Sequence, residues 1–351
     1  MRESAVLPQR NNGLDFFRLI CIFLVLCIHI PFQNTAGMLG QNIGRIAVPF
    51  FFMLTGYYYR SVAERGKLKK QIGKTVKILL LSLAVCGLYG LIISCSDPEI
   101  HRILLSCFTW PKIRELLFFN NIDFPFCWHL WYLSALLYVL ILVYPVSRLL
   151  LKKPFRIGCY LMSIFFLAAA LLLGKYSFIH TMDYIPVCYG RNFLLTGFPF
   201  FMAGIACDHL DDRKTSGTRL LLSLAFTAFF VWLTVKESFW YSANLPYKSG
   251  DLLLTTLFLT VSLFYTGLIL GRQFSDSRIL KRLAETGRKY AFPVFVLHVP
   301  VMNILQKNFH GENLFSVVLR EYGPITVLLC TMCIWFVLSF LMNSICRRKS
   351  Q

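Results

Sequence analysis

The chain has 351 residues, 56% of them hydrophobic and only 15% charged, with a formal net charge of +19 and a mean hydropathy of +0.60. A soluble domain of this length is not apolar throughout, whereas repeated runs of about 20 apolar residues are the signature of membrane-spanning helices. The composition therefore excludes a soluble enzyme, and the positive charge, which lies between the apolar runs, is a topology signal and not a nucleic-acid footprint.

The expected fold is an all-α polytopic membrane protein of about ten transmembrane helices. The spans fall at 14–32, 42–59, 75–95, 128–147, 155–174, 191–207, 219–236, 251–270, 289–306 and 321–345. With charges at span edges assigned to the adjacent loop, 25 of the 36 Lys and Arg residues lie in the N-terminus, the even-numbered loops and the C-terminus, and nine in the odd-numbered loops. That bias places both termini in the cytoplasm. Residues 1–351 read as one membrane domain, with 1–13 a cytoplasmic lead and 346–351 a cytoplasmic tail.

The first span, within Asn12 to Phe32, carries Asp15, Arg18 and His29. It is long, lacks a small-residue cleavage site and bears charges, so it reads as a span rather than a signal peptide. At about 1.5 Å per residue, Arg18 and His29 lie roughly 16 Å apart along the axis. Eleven residues make nearly three turns, so both leave the same face, with Asp15 one turn before Arg18. Ionisable groups inside a span face a polar cavity or a partner helix, and this stripe reads as the wall of a route across the membrane.

The second span contains Arg45 and Pro49, and Thr55-Gly56 allows close backbone approach. Tyr57, Tyr58 and Tyr59 are expected at the inner interface, as aromatic belts are. Arg60 to Lys77 then holds seven basic residues and one acid. It reads either as a topology anchor on anionic lipid or as a phosphate site, because Lys70, Lys74 and Lys77 share a helical face. Residues 96–127 fit an interfacial helix, apolar on one side and basic on the other. Trp128, His129, Trp131 and Tyr132 cluster at the outer end of the fourth span. Span six is broken by Gly197 and Pro199, and span nine holds His298 between Pro293 and Pro300. Broken segments are tolerated where protein or a cavity satisfies the freed backbone groups.

His29, His129 and His298 are the candidates for chemistry, since histidine titrates near ambient pH. A lone membrane histidine is usually a hydrogen bonder between helices, but three at compatible depths above Arg18 and Asp15 suggest a shared site. The 12 cysteines lie mostly in or beside spans and behave as small apolar residues. The Cys330–Cys333 pair has no partner histidines and implies no metal. Cys95, Cys107, Cys127 and Cys188 lie toward the outer face, and nothing in their spacing fixes a disulfide.

These segments resemble the acyltransferase 3 family of membrane O-acyltransferases. Arg18 and His29 match its Arg-x10-His hallmark. VPFFFMLTGYYY, HLWYLSALLYVL, RNFLLTGFPFFMAGI and FPVFVLHVPV resemble its later segments, in order along the chain. Thr55 stands where the family usually has Ser, and its RxxR after span two is only Lys74-x-x-Lys77 here. The resemblance implies a multi-pass protein of the bacterial plasma membrane that transfers an acyl group, usually acetyl, from cytoplasmic acyl-CoA to a hydroxyl of a glycan or other envelope acceptor. It implies acetyl-CoA or another acyl-CoA as co-substrate and no metal. His29 would be the general base or a transient acyl carrier, Arg18 would orient CoA with Asp15 fixing it, and Lys70, Lys74 and Lys77 would hold its phosphates. His129, Arg191 and His298 would position the acceptor. The rival reading from the residues is a secondary transporter of a small solute, since ten spans with broken helices and embedded charges describe carriers as well. Serine as that solute is what the resemblance implies. A structural or sensory role has no positive feature in its favour.

Overall fold

The computed structural model describes residues 10–177, 179, 185–210, 216–244, 251–309, 311 and 313–349, with the backbone alone at 210, 343 and 345–349. Of the expected lead and tail, residues 1–9 and 350–351 lie outside the described residues. The described residues are helical, with no strand.

Helix α1 (Asn12–His29) starts on Asn11, whose side-chain oxygen accepts from the Leu14 amide at 3.0 Å. This satisfies one of the donors that every helix start leaves open. The second apolar stretch is not one helix. It runs as α2 (Asn34–Gly44), α3 (Ala47–Tyr57) and α4 (Tyr59–Glu64), with breaks at Arg45-Ile46 and at Tyr58. Next come α5 (Leu68–Ser94) and then α6 (Pro98–Ser106) and α7 (Trp110–Phe119), two short helices where one interfacial helix is expected. A 3-10 turn at Trp128–Leu130 leads into α8 (Trp131–Val143), followed by α9 (Ser147–Leu150) and α10 (Lys153–Leu173). After α11 (Val187–Gly190), a π turn at Phe193–Gly197 opens α12 (Phe198–Leu210). The chain ends with α13 (Gly217–Asn244), α14 (Leu254–Gln273), α15 (Arg278–Asn308) and α16 (Leu314–Lys349), the last kinked at Tyr322 two residues before Pro324.

Six of these helices are long and apolar enough to cross a membrane: α1, α5, α10, α13, α14 and α16. The other expected spans differ for local reasons. The second is broken at Arg45, and the fourth and sixth are short apolar helices. The ninth shares the 31-residue α15 with a charged first half. Burial sets the layers. Half of the α1 span and 56% of that in α14 are buried, against 11% in α13 and α16. Helix α1 is therefore central, while α13 and α16 turn apolar surface outward as lipid-facing helices do.

Glycines bring the central helices together. A Cβ on Gly13 would lie 2.1 Å from the Gly267 carbonyl oxygen, so α1 and α14 meet backbone to backbone. A Cβ on Gly287 would lie 2.3 Å from the Asp15 carbonyl oxygen, and this contact presses α15 against the polar end of α1. Tyr57 and Tyr59 are buried rather than placed at an interface. Tyr59 packs edge-on to Phe201, and the Tyr57 hydroxyl accepts from Arg272 at 3.1 Å. Tyr58 donates nothing to a belt either; its hydroxyl accepts from the Asn11 amide at 3.2 Å. On the opposite side, Lys307 of α15 bonds Asp97 at 3.1 Å, and Asp97 also caps α6. The Lys307 ammonium holds the Asp97 carboxyl below its ordinary range, aided by the Ile100 and Glu99 amides. The side where α1 begins is called the near side below, and the side of His29 the far side.

Candidate active site

The site is built around α1, with one cavity toward each end. On the near side, Asp15 is buried and collects three guanidiniums. Arg18 approaches one oxygen at 3.2 Å, and Arg288 and Arg10 approach the other at 3.1 Å each. Arg288 reaches Asp15 because Gly287, its neighbour, has no side chain to hold α15 away. Arg18 and Arg288 line a cavity of about 260 Å³, together with Thr55, Thr75, Ile78, Tyr132 and Phe295. Glu285 lies 3.7 Å from Arg288, so two carboxylates face three cations and net positive charge remains at this end, in apolar surroundings where charge acts strongly.

On the far side the three histidines meet. The His29 ring stacks on His298 with centroids 5.2 Å apart, and His129 stands edge-on to His298 at 4.9 Å. Trp128 meets His29 edge-on at 4.6 Å. His298 Nδ1 lies 3.0 Å from the Val294 carbonyl and 2.8 Å from that of Phe295. A carbonyl only accepts, so Nδ1 carries the proton, and Nε2 is left with a free lone pair and no partner. His129 is fully enclosed, and the Val296 carbonyl lies beside it outside good hydrogen-bonding geometry. Pro300, four residues on, leaves that carbonyl without its helical donor, and the Cys86 thiol donates to it at 3.3 Å.

His29 and His129 line a small cavity of about 40 Å³ that also holds Arg45, Trp131, Arg191 and Asp251. Asp251 accepts from Arg45 at 2.6 Å and lies 3.5 Å from Arg191, whose guanidinium sits 5.1 Å from the centre of the Trp131 ring. Phe295 lines both this cavity and the near one. His29 is half-buried and also borders a wide far-side pocket with Gln306 and Arg320.

The structure thus brings together Asp15 with Arg18, and His29 with His129, Arg191 and His298. Lys70, Lys74 and Lys77 stay exposed on a flank of α5, while Thr75 and Ile78 of the same helix line the near cavity. Arg288, Arg45, Asp251 and Phe295 line these cavities and are not among the site residues expected from the sequence. Arg288 sits inside a run read as a basic loop, and only Gly287 beside it signals close packing. Asp251 is a lone acid at a span edge, a place where charge is ordinary. Among the described residues, the cysteines are free and no group of His, Cys, Asp or Glu is arranged to hold a metal ion.

The chain is similar to an amino-acid racemase of Enterococcus faecalis, 24% identical over 96% of this chain and 47% of that protein. It is also similar to a serine/alanine racemase of Enterococcus gallinarum, 28% identical over 73% of this chain and 36% of that protein. The chain therefore spans less than half the length of either relative. No solved structure matches. The motif segments quoted above converge on this one site, with Thr55 and Phe295 on the near cavity and Arg18, His29, His129, Arg191 and His298 on the two sides. The family model for the acyltransferase domain, acyltransferase 3, matches residues 11–344, and the chain belongs to that family.

Proposed function

We propose that the protein is a multi-pass O-acyltransferase of the bacterial plasma membrane. In this reading it crosses the bilayer ten times with both termini in the cytoplasm. It takes an acyl group, acetyl in the simplest case, from cytoplasmic acyl-CoA and passes it to a hydroxyl of an envelope glycan or related acceptor on the other face. The observation that carries the reading is the pair of cavities that share Phe295, with Arg18 and Arg288 lining the near one and His29 and His129 the far one.

Arg18 and Arg288 would hold the anionic donor, with Asp15 fixing both guanidiniums, and Lys70, Lys74 and Lys77 stand on the adjoining flank for outlying phosphates. The thioester would reach past Phe295 to His29. His29 takes the proton of the acceptor hydroxyl as its oxygen bonds to the thioester carbonyl carbon. The carbon–sulfur bond then breaks, and the proton passes from His29 to the departing CoA thiolate. Arg45 and Arg191 face the same small cavity and favour the negative charge that develops on the carbonyl oxygen. The free Nε2 of His298 lies behind His29 as a second proton acceptor.

The test is labelled acetyl-CoA supplied to purified protein or inverted vesicles. CoA release that depends on His29 supports the proposal. A His29→Ala protein that folds normally and keeps full acyl transfer ends it. A carrier of a small amino acid such as serine is the second reading, favoured by the relatives' being named as amino-acid and serine/alanine racemases. Serine uptake without acyl-CoA turnover would establish that reading instead.

A further inference from the structure

A further far-side pocket, of about 260 Å³, lies next to the histidine site, and apart from Arg45 its residues play no part in the chemistry above. Its polar wall is formed by Gln41, Asn42, Arg45, Lys175, Tyr241 and Ser242. Lys175 is the informative residue. It lies just beyond the end of α10 and is only 6% exposed, yet it lines this pocket beside Tyr241. Its Nζ sits 4.4 Å from the centre of the Tyr241 ring. No carboxylate of the described residues pairs with it.

Among the described residues, the two acids nearby are committed elsewhere. Asp251 is shared between Arg45 and Arg191. Glu237 accepts from the Leu254 and Thr255 amides at 2.9 and 2.8 Å, and from the Tyr176 and Thr255 hydroxyls, so it caps α14. A buried ammonium without a counter-ion is expensive to keep, and a ligand anion is the natural complement. Tyr241 offsets part of that cost through its ring face, while Arg45 adds a second cation on the same wall.

We infer that this pocket binds the carboxylate of a hydroxyl-bearing acceptor, with Lys175 as the primary counter-ion and Arg45 as the second. Arg45 lines both this pocket and the cavity of His29. An anion held here therefore stands one side chain from the proposed base, and a hydroxyl on the same small molecule is directed toward His29. That the hydroxyl is acylated rests on the acyltransfer reading. The anion site itself does not.

The experiment is binding to purified protein without acyl-CoA, using glucuronate and glucose, which differ by the carboxylate, and serine as an amino-acid carboxylate. Glucuronate is expected to bind roughly ten-fold tighter than glucose, a preference of the size that charge-assisted hydrogen bonds give. Lys175→Gln should reduce the preference to below about three-fold, and Lys175→Arg should retain most of it. Sulfate should displace glucuronate from the unaltered protein, which keeps the test decisive if Lys175→Gln fails to fold. Equal binding of glucose and glucuronate with no Lys175-dependent serine binding, or a preference that survives in a folded Lys175→Gln protein, overturns the inference. Serine binding that is lost in Lys175→Gln, with no preference for glucuronate, supports a carboxylate site of amino-acid size. If His29→Ala keeps acyl-CoA turnover while the glucuronate preference persists, the acyltransfer reading falls and the anion site stands.

Discussion

The two ends of α1 handle buried charge in opposite ways. On the near side Asp15 gathers Arg10, Arg18 and Arg288, with Glu285 3.7 Å from Arg288, so the charge there is permanent and still in positive excess. On the far side the chemistry-bearing groups are imidazoles, and the neighbouring arginines share Asp251. Guanidiniums do not exchange protons in the working range, whereas imidazoles do. In the proposed reading, the near end holds an anion still and the far end moves a proton. Phe295 and the length of α1 keep the two tasks apart.

The sharpest way to break this comparison is at the far end. His29→Ala should lower acyl transfer by a factor of about 10² to 10⁴, the range lost with a general acid–base group. Size-exclusion behaviour should be unchanged, because His29 is half-buried at a helix end. A transfer rate within three-fold of the unaltered protein would remove the division of labour. At the near end, Arg18→Ala and Arg288→Ala should raise the KM for acyl-CoA by roughly 10–100-fold with a smaller change in kcat, as expected for loss of charge-assisted anion contacts. Arg288→Lys should recover only part of the loss, since a point charge cannot reproduce the guanidinium fork. Variants that altered kcat alone would place chemistry, not donor binding, among the arginines.

Gly287→Ala probes the packing that joins the two ends. The new Cβ would meet the Asp15 carbonyl oxygen at 2.3 Å, so α15 must move away from α1. Overpacking of this kind costs about 1–3 kcal/mol. The thermal midpoint should fall, and both KM and kcat should worsen, because α15 carries Arg288 beside this glycine and His298 further along. A midpoint that stays put would show that α15 is positioned by other contacts.

Much of the site was legible because helical periodicity is strict. The eleven-residue spacing of Arg18 and His29 places them on one face wherever the helix lies, and the one-turn offset of Asp15 gives the ion pair at 3.2 Å. The meeting of His29, His129 and His298 was readable only as compatible depth, since spacing does not say which helices are neighbours. The break at Arg45 was hidden because a buried arginine inside an apolar run reads as an embedded charge, whereas its pairing with Asp251 depends on a residue 206 positions away. Tyr57 and Tyr59 have the composition of an interfacial belt, and only packing against Phe264 and Phe201 reveals them as buried. Lys175 and Arg288 lie at span edges, where a cation serving a cavity and one anchoring topology look alike in sequence.

The smallest expected effect separates permanent from exchangeable charge within the far end itself. Burial, with Arg45 nearby, pushes the Lys175 ammonium down to about 8, against the opposing pull of Asp251 and Glu237. Lys175 is therefore charged below pH 8 and increasingly neutral above it. A carboxylate bound beside it favours the charged form, so binding is at full strength below pH 8 and weakens as pH rises through that value. Arg45 stays charged throughout this window, and an ordinary histidine, titrating near 6.5, has already lost its proton. Glucuronate affinity should fall several-fold between pH 7 and pH 9, approaching a factor of ten per unit only at the upper end. Glucose affinity should stay flat. In Lys175→Arg the glucuronate profile should also flatten, because the replacement does not titrate. A slope that persisted in that variant would assign the proton to a different group and leave Lys175 without a part in binding.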